Sequence, residues 1–300
     1  MKGFGKYIMT AVKGACMGAA DVIPGVSGGT IAFIMGIYDD FVSSLASING
    51  EAVRLLLKGQ FKAFWKHING GFLLSLVIGI GISVIALAGL MQALLSDFPI
   101  QTWAFFFGLI VASSVFIIRG ISGWKLREGV LLLLGVILGV TICTLSPTQT
   151  PDGLWFIFLS GAIAICAMVL PGISGSFILL ILGKYQYIMG VISDLVSGVD
   201  FGRNLLILGI FAIGAIVGIL GFSKFLHWLL ARWNKETLIV LAGFIIGSLV
   251  KVWPWSNPEA LAQADATGSM LYGSAALFAL IGLTLVTSIA LIGKSLARNK

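Results

Sequence analysis

Six stretches of the chain, 72–95, 101–118, 129–146, 204–230, 237–253 and 271–293, are almost continuously apolar. Each reaches or approaches the roughly 20 residues that a helix needs to cross a bilayer core. The pattern therefore predicts six spanning helices. Four shorter apolar pieces remain, 7–23 with 26–38 and 154–170 with 173–190, each pair interrupted at a Pro-Gly. Proline cannot continue the helical hydrogen-bond ladder, and the residue before it avoids the α region. Each pair thus predicts a hairpin that enters the membrane and returns to the same side. Between 50 and 67, Arg54, Lys58, Lys62 and Lys66 interleave with Leu55, Leu56, Leu57, Phe61, Phe64 and Trp65. That pattern predicts an amphipathic basic helix, lying on headgroups or simply connecting two spans. The segment 254–270, with Pro254, Pro258, Glu259 and Asp265, is expected to be irregular and solvent-facing. Trp103, Trp155, Trp228, Trp233, Trp253 and Trp255 fall near span ends, where aromatic belts form.

The hairpins are related. Pro24-Gly25-Val26-Ser27-Gly28-Gly29-Thr30 recurs as Pro171-Gly172-Ile173-Ser174-Gly175-Ser176-Phe177, and from Pro24 to Tyr38, 8 of 15 positions match at an offset of 147. Further along, Gly79 matches Gly214, Gly108 matches Gly243 and Ser113 matches Ser248, at an offset of 135. The offset falls because the loop 39–71 is longer than its counterpart 191–203. The expected organisation is a first repeat over 1–146, with hairpin 7–38 and spans 72–95, 101–118 and 129–146. A second repeat over 147–300 has hairpin 154–190 and spans 204–230, 237–253 and 271–293. Three spans per repeat is odd, so the second repeat must be inverted relative to the first. The expected fold class is an all-α polytopic membrane protein of two inverted-topology repeats.

Composition agrees with a membrane protein: 58% of residues are hydrophobic, 10% are charged, and mean hydropathy is +1.06. The net charge of +7 forms no single patch, so nucleic acid is not an expected partner. With both termini placed in the cytoplasm, the inner segments 1–13, 39–69, 119–128, 224–236 and 294–300 hold 16 of the 19 Lys and Arg. Only Lys184, Arg203 and Lys251 fall outside, as the positive-inside rule requires. Lys2, Lys6 and Lys13 are not followed by an uninterrupted apolar core before a small-residue cleavage site, so the N-terminus reads as mature sequence. Cys16, Cys143 and Cys166 read as small packing residues. His67 and His227 are far apart in sequence, and neither a metal nor a cofactor is expected.

The candidate chemistry lies at the breaks. A half-helix begins after each Pro-Gly, and its first N–H groups point back toward the break with partial positive charge. Ser27, Thr30, Ser174 and Ser176 add hydroxyls, and Gly28, Gly29 and Gly175 let a ligand approach the backbone. Two such ends converging from opposite sides would bind an anionic group near the midplane. The plain alternative is that the glycines serve helix packing. Asp21, three residues before Pro24, is the one acid in a predicted intramembrane segment. A carboxylate at that depth is costly and suggests proton coupling, whereas a shallow first arm would make it interfacial. Its counterpart in the second half is Met168. Arg119, Lys184, Lys224 and Lys251 are candidates for headgroup attraction or gating, or they snorkel to the surface.

These residues closely resemble the polyprenyl-phosphate transporter family over nearly the whole chain. The match rests on Ala20-Asp21-Val22-Ile23-Pro24-Gly25-Val26-Ser27-Gly28-Gly29-Thr30, on Leu170-Pro171-Gly172-Ile173-Ser174-Gly175-Ser176-Phe177 and on Lys251-Val252-Trp253-Pro254-Trp255. The resemblance implies a bacterial plasma-membrane protein. Its implied task is to return undecaprenyl phosphate, the carrier lipid of cell-wall synthesis, from the outer to the inner leaflet. Undecaprenyl-diphosphate phosphatases are similar in plan but carry Pro-Gly-x-Ser-Arg-Ser beside a Glu-rich motif. The Arg position here is Gly28 in one copy and Gly175 in the other, and no Glu lies in a predicted membrane segment. Phosphoryl transfer needs a base or nucleophile and cationic neutralisation, so no catalytic residue is assigned. A small-anion channel or carrier using the same paired helix ends remains a third reading.

Overall fold

The computed structural model describes residues 2–21, 27–145, 150–151 and 153–298, which form helices and turns with no strand among them. The Pro24-Gly25 break lies outside the described residues. The helices cluster into two compact units, each drawing on both halves of the chain, with one boundary falling inside a helix.

The first unit contains α1 (Lys2–Asp21), α2 (Gly28–Ile34), α3 (Tyr38–Ala46), α4 (Gly50–Leu57), α5 (Phe61–His67) and the start of α6 (Gly70–Asp97). It continues with α9 (Leu154–Val169), α10 (Gly175–Ile181), α11 (Tyr185–Val196) and α12 (Phe201–Arg232). Two crossings organise it. Gly14 of α1 abuts the Leu76 carbonyl of α6, and Gly79 abuts that of Ala11. Gly161 of α9 meets the Phe211 carbonyl of α12 in the same way, and Gly214 meets that of Phe158. The two pairings superpose residue for residue at the sequence offsets of 147 and 135. A Cβ at any of these glycines would overlap the facing carbonyl oxygen, so the helices approach to backbone contact, as small residues permit in membranes. Ile157, Ile188, Val191 and Ile207 form a buried core joining α9, α11 and α12.

The second unit holds the rest of α6, with α7 (Pro99–Gly120), α8 (Leu126–Cys143), α13 (Asn234–Val252), α14 (Pro258–Thr267) and α15 (Tyr272–Arg298). Its crossings repeat as well. Gly108 of α7 faces the Ala279 carbonyl of α15, and Gly282 faces that of Phe105. Gly243 of α13 faces the Leu132 carbonyl of α8, and Gly135 faces that of Val240. The Lys235 ammonium joins the starts of α13 and α8, donating to Glu128 Oε1 at 3.0 Å and to the Gly123 carbonyl at 2.8 Å.

Among the described residues, four helices are long and apolar enough to cross a membrane: α6 through Gly70–Leu87, α7, α8 and α12. Helices α10 and α11, bent by 111° at their junction, make a fifth if they are one broken span. The chain is a polytopic membrane protein. The two remaining predicted spans are helices of a different character. Helix α13 carries Lys235, Glu236 and Lys251 within it and buries residues along its length. The Tyr272–Ser288 part of α15 is a shorter apolar stretch.

Two loop expectations are corrected. Residues 50–67 are two helices, because the chain turns at Gly59, whose φ of 68° suits a residue without a Cβ. The expected irregular loop 254–270 contains α14, which starts with Pro258 in its first turn and ends at Gly268 in the left-handed region. Gln263 of α14 accepts the Ile100 N–H at 3.0 Å, filling one of the orphan donors at the start of α7.

Candidate functional site

Both expected half-helices are present in the first unit, each capped by its serine. Ser27 Oγ accepts the Gly29 N–H at 3.1 Å at the start of α2. Ser174 Oγ accepts the Phe177 N–H at 3.3 Å at the start of α10 and lies 3.2 Å from Ser176 Oγ. Each half-helix ends at a glycine with positive φ, Gly36 (65°) and Gly183 (63°), and a second helix begins at Tyr38 or Tyr185. The offset of 147 therefore holds from the serine cap to the next helix.

The start of α2 meets the second break through backbone groups of the latter. Thr30 Oγ1 accepts the Gly172 N–H at 2.8 Å, a buried bond between residues 142 apart. Ser27 Oγ lies 3.2 Å from the Leu170 carbonyl oxygen and 3.4 Å from that of Met168. Tyr38 donates its hydroxyl to the Val169 carbonyl at 3.1 Å. Helix α9 ends at Val169 without continuing into α10, and this leaves carbonyls for α2 and α3 to use. Ser27, Thr30, Tyr38 and Ser174 are buried, whereas Ser176 is exposed.

Asp21 closes the assembly. Its Oδ1 accepts the Gly28 N–H at 2.7 Å, so the protein's own carboxylate occupies the start of α2. No ion pair involves Asp21 among the described residues. At the other end of α2, Lys13 Nζ donates to the Met35 carbonyl at 2.8 Å. One helix, α1, thus supplies an anion to the positive end of α2 and a cation to its negative end, both favourable to the helix dipole. Sequence reasoning missed Lys13 and Tyr38. Their partners are carbonyl oxygens, which every residue possesses, so no motif marks them.

The glycines are closely surrounded in this arrangement. A Cβ at Gly28 would lie 2.5 Å from Asp21 Oδ2, and one at Gly29 3.0 Å from the Val169 carbonyl oxygen. At Gly175 it would lie 2.8 Å from the Ala164 carbonyl oxygen. At the start of α2 the Gly28 and Gly29 N–H groups are taken by Asp21 and Ser27, so an anion arriving there must exchange with them. Among the described residues no group of three His, Cys, Asp or Glu could hold a metal ion.

The four basic candidates are dispersed. Lys184 is 2% exposed. It donates to the Thr150 carbonyl at 3.0 Å, and its ammonium lies within 5.6 Å of the Phe156 ring and 5.5 Å of the Tyr187 ring. Lys224 is exposed on α12. Arg119 is exposed at the end of α7, and Lys251 is half-buried in the last turn of α13, both in the second unit.

The profile of the VCA0040-like family, described as undecaprenyl phosphate translocase-like, matches residues 17–270. A polyprenyl-phosphate transporter of Vibrio cholerae serotype O1 is 45% identical over 251 residues, which cover 84% of this chain and 79% of that protein. A polyprenyl-phosphate transporter of Staphylococcus aureus is 31% identical over 256 residues, covering 81% of this chain and 85% of its own. No solved structure matches the chain.

Proposed function

This chain belongs to the undecaprenyl phosphate translocase-like family, and on that premise we propose that it carries a polyprenyl phosphate between the leaflets of the bacterial plasma membrane. The lipid's phosphate binds where the two broken hairpins meet, and its isoprenoid tail stays in the bilayer. The observation that carries this reading is the Asp21 carboxylate on the Gly28 N–H. An anion already sits at the half-helix start, beside the hydroxyl and amide groups of Ser27, Thr30 and Gly172. A phosphate offers the same acceptor chemistry.

Undecaprenyl phosphate is the proposed lipid, moving from the outer to the inner leaflet, and protons are the proposed coupling ion. With Asp21 ionised, its carboxylate competes with the phosphate; with Asp21 protonated, the competing charge is gone and the headgroup enters. Deprotonation after crossing helps expel it by like-charge repulsion. Inverted repeats supply the two exposures of the site. The pairing of α7 with α15 in the manner of α13 with α8, and of α1 with α6 in the manner of α9 with α12, supports the repeat, and the distribution of Lys and Arg supports its inversion. Catalysis is not part of the proposal.

Leaflet-resolved transport in proteoliposomes is the test. Undecaprenyl phosphate should cross, whereas inorganic phosphate should not compete at similar concentration. The diphosphate lipid should release no phosphate. Transport of free phosphate alone would favour the small-anion carrier, and phosphate release from the diphosphate would favour the enzyme.

A further inference from the structure

Helices α4 and α5 form a hairpin whose base is fixed and whose tip is bare. At the base, Asn49 Oδ1 accepts the Glu51 and Ala52 N–H groups at 3.0 and 3.2 Å and lies 3.3 Å from His67 Nε2. Asn69 donates to Ser44 Oγ at 3.2 Å. Beyond these contacts the hairpin buries almost nothing: α4 buries Ala52 alone, and α5 buries no residue. Leu57 is 82% exposed and Phe61 66% exposed, one on each side of the turn at Gly59, and Trp65 follows at 46%.

Helices of eight and seven residues are too short to persist alone in water. A bare Leu-Phe-Trp face adds an unfavourable exposure. The charge on the hairpin identifies what covers it. Arg54, Lys58, Lys62 and Lys66 are all exposed, against the single acid Glu51, which sits 3.5 Å from Arg54. Lys58 and Lys62 flank the apolar tip directly. Apolar side chains at the turn with cations beside them match an anionic bilayer surface, where rings and alkyl groups enter the acyl boundary and ammonium groups meet lipid phosphates.

We infer that the α4–α5 hairpin docks on anionic phospholipid headgroups of the bilayer in which the chain sits. The hairpin joins α3, which packs on α12, to α6, which crosses α1. Docking therefore anchors both segments that flank the first half-helix. The inference stands apart from the transport reading, because its readout requires no transport.

Amide exchange of residues 50–67 provides the test, with the full chain in nanodiscs of phosphatidylcholine or of phosphatidylcholine with phosphatidylglycerol. Exchange should slow about fivefold or more in the anionic discs, roughly the factor that one surface cation supplies. High salt should erase the difference in the unaltered protein. Lys58→Gln/Lys62→Gln/Lys66→Gln should erase it too, whereas Arg at the same three positions should preserve it. Equal exchange in both discs overturns the inference, as does a difference that survives the Gln substitutions and high salt. Protection that is independent of lipid charge but grows with protein concentration assigns the face to a second copy and also overturns it.

Discussion

At the scale of single residues, Gly28 and Gly175 are equivalent in sequence but not in surroundings. A methyl group at Gly28 meets only the tip of the Asp21 side chain, 2.5 Å away, and that carboxylate can rotate aside. A methyl group at Gly175 meets the Ala164 backbone carbonyl at 2.8 Å, which cannot. Gly28→Ala should therefore leave folded protein while detaching Asp21 from the start of α2. It should share the phenotype of Asp21→Asn: lipid binding retained, with transport no longer following an imposed pH gradient. Gly175→Ala should instead lose stability, by about 1–3 kcal/mol if it behaves like other overpacked sites. Thermal unfolding in detergent and transport under a pH gradient measure the two effects. Gradient-driven transport by both Asp21→Asn and Gly28→Ala would reduce Asp21 to a helix cap. The sequence exposed Asp21, the serines and the glycines as unusual for their depth. It did not expose what they touch, because the Asp21–Gly28 bond joins residues 7 apart and the Thr30–Gly172 bond joins residues 142 apart.

Among the helices, the strongest regularity is the glycine-to-carbonyl crossing, made four times with matched residues. Half of it was readable in advance: Gly79 with Gly214 and Gly108 with Gly243 stand out at a fixed offset. The facing carbonyls of Ala11, Phe158, Ala279 and Leu132 were not readable, since a backbone oxygen leaves no side-chain pattern. Long helices at the six apolar stretches and the break between α9 and α10 at Pro171-Gly172 followed from apolar length and Pro-Gly, whereas α14 and the α4–α5 turn were missed. Their signals, Pro258 with Gly268 and Gly59, are local punctuation that a window of hydropathy averages away. The crossings predict a contrast within single helices. Gly79→Ala and Gly214→Ala place a methyl group on a facing carbonyl and should each cost about 1–3 kcal/mol. Gly81→Ala and Gly221→Ala face open space and should be neutral or gain up to about 1 kcal/mol from helix propensity. Equal stability of all four variants in detergent melts would remove close crossing as the reason for these glycines.

For the whole molecule, repeats and compact units divide the chain differently. The repeats run in succession along the sequence, while each unit takes helices from both halves. In the second unit the pairing is an exchange, with α7 joined to α15 and α13 joined to α8, so neither half completes that unit alone. An exchange of this kind is compatible with parallel or inverted halves, and the distribution of charge is what separates them. Sixteen of the 19 Lys and Arg lie on one side only if the second half is upside down relative to the first. Four exposed positions report on this arrangement, Lys62, Asp97, Lys125 and Glu259. Cysteines placed at 97 and 259 should react with an impermeant thiol reagent added outside intact cells, and those at 62 and 125 should react only after permeabilisation. Because 62 lies before α6 and 125 before α8, two independent crossings are read in the first half, and 259 reads the second half after α13. Outside labelling at 62 or 125 would break the proposed inverted arrangement, and with it the two-sided exposure that the proposed phosphate site needs for transport.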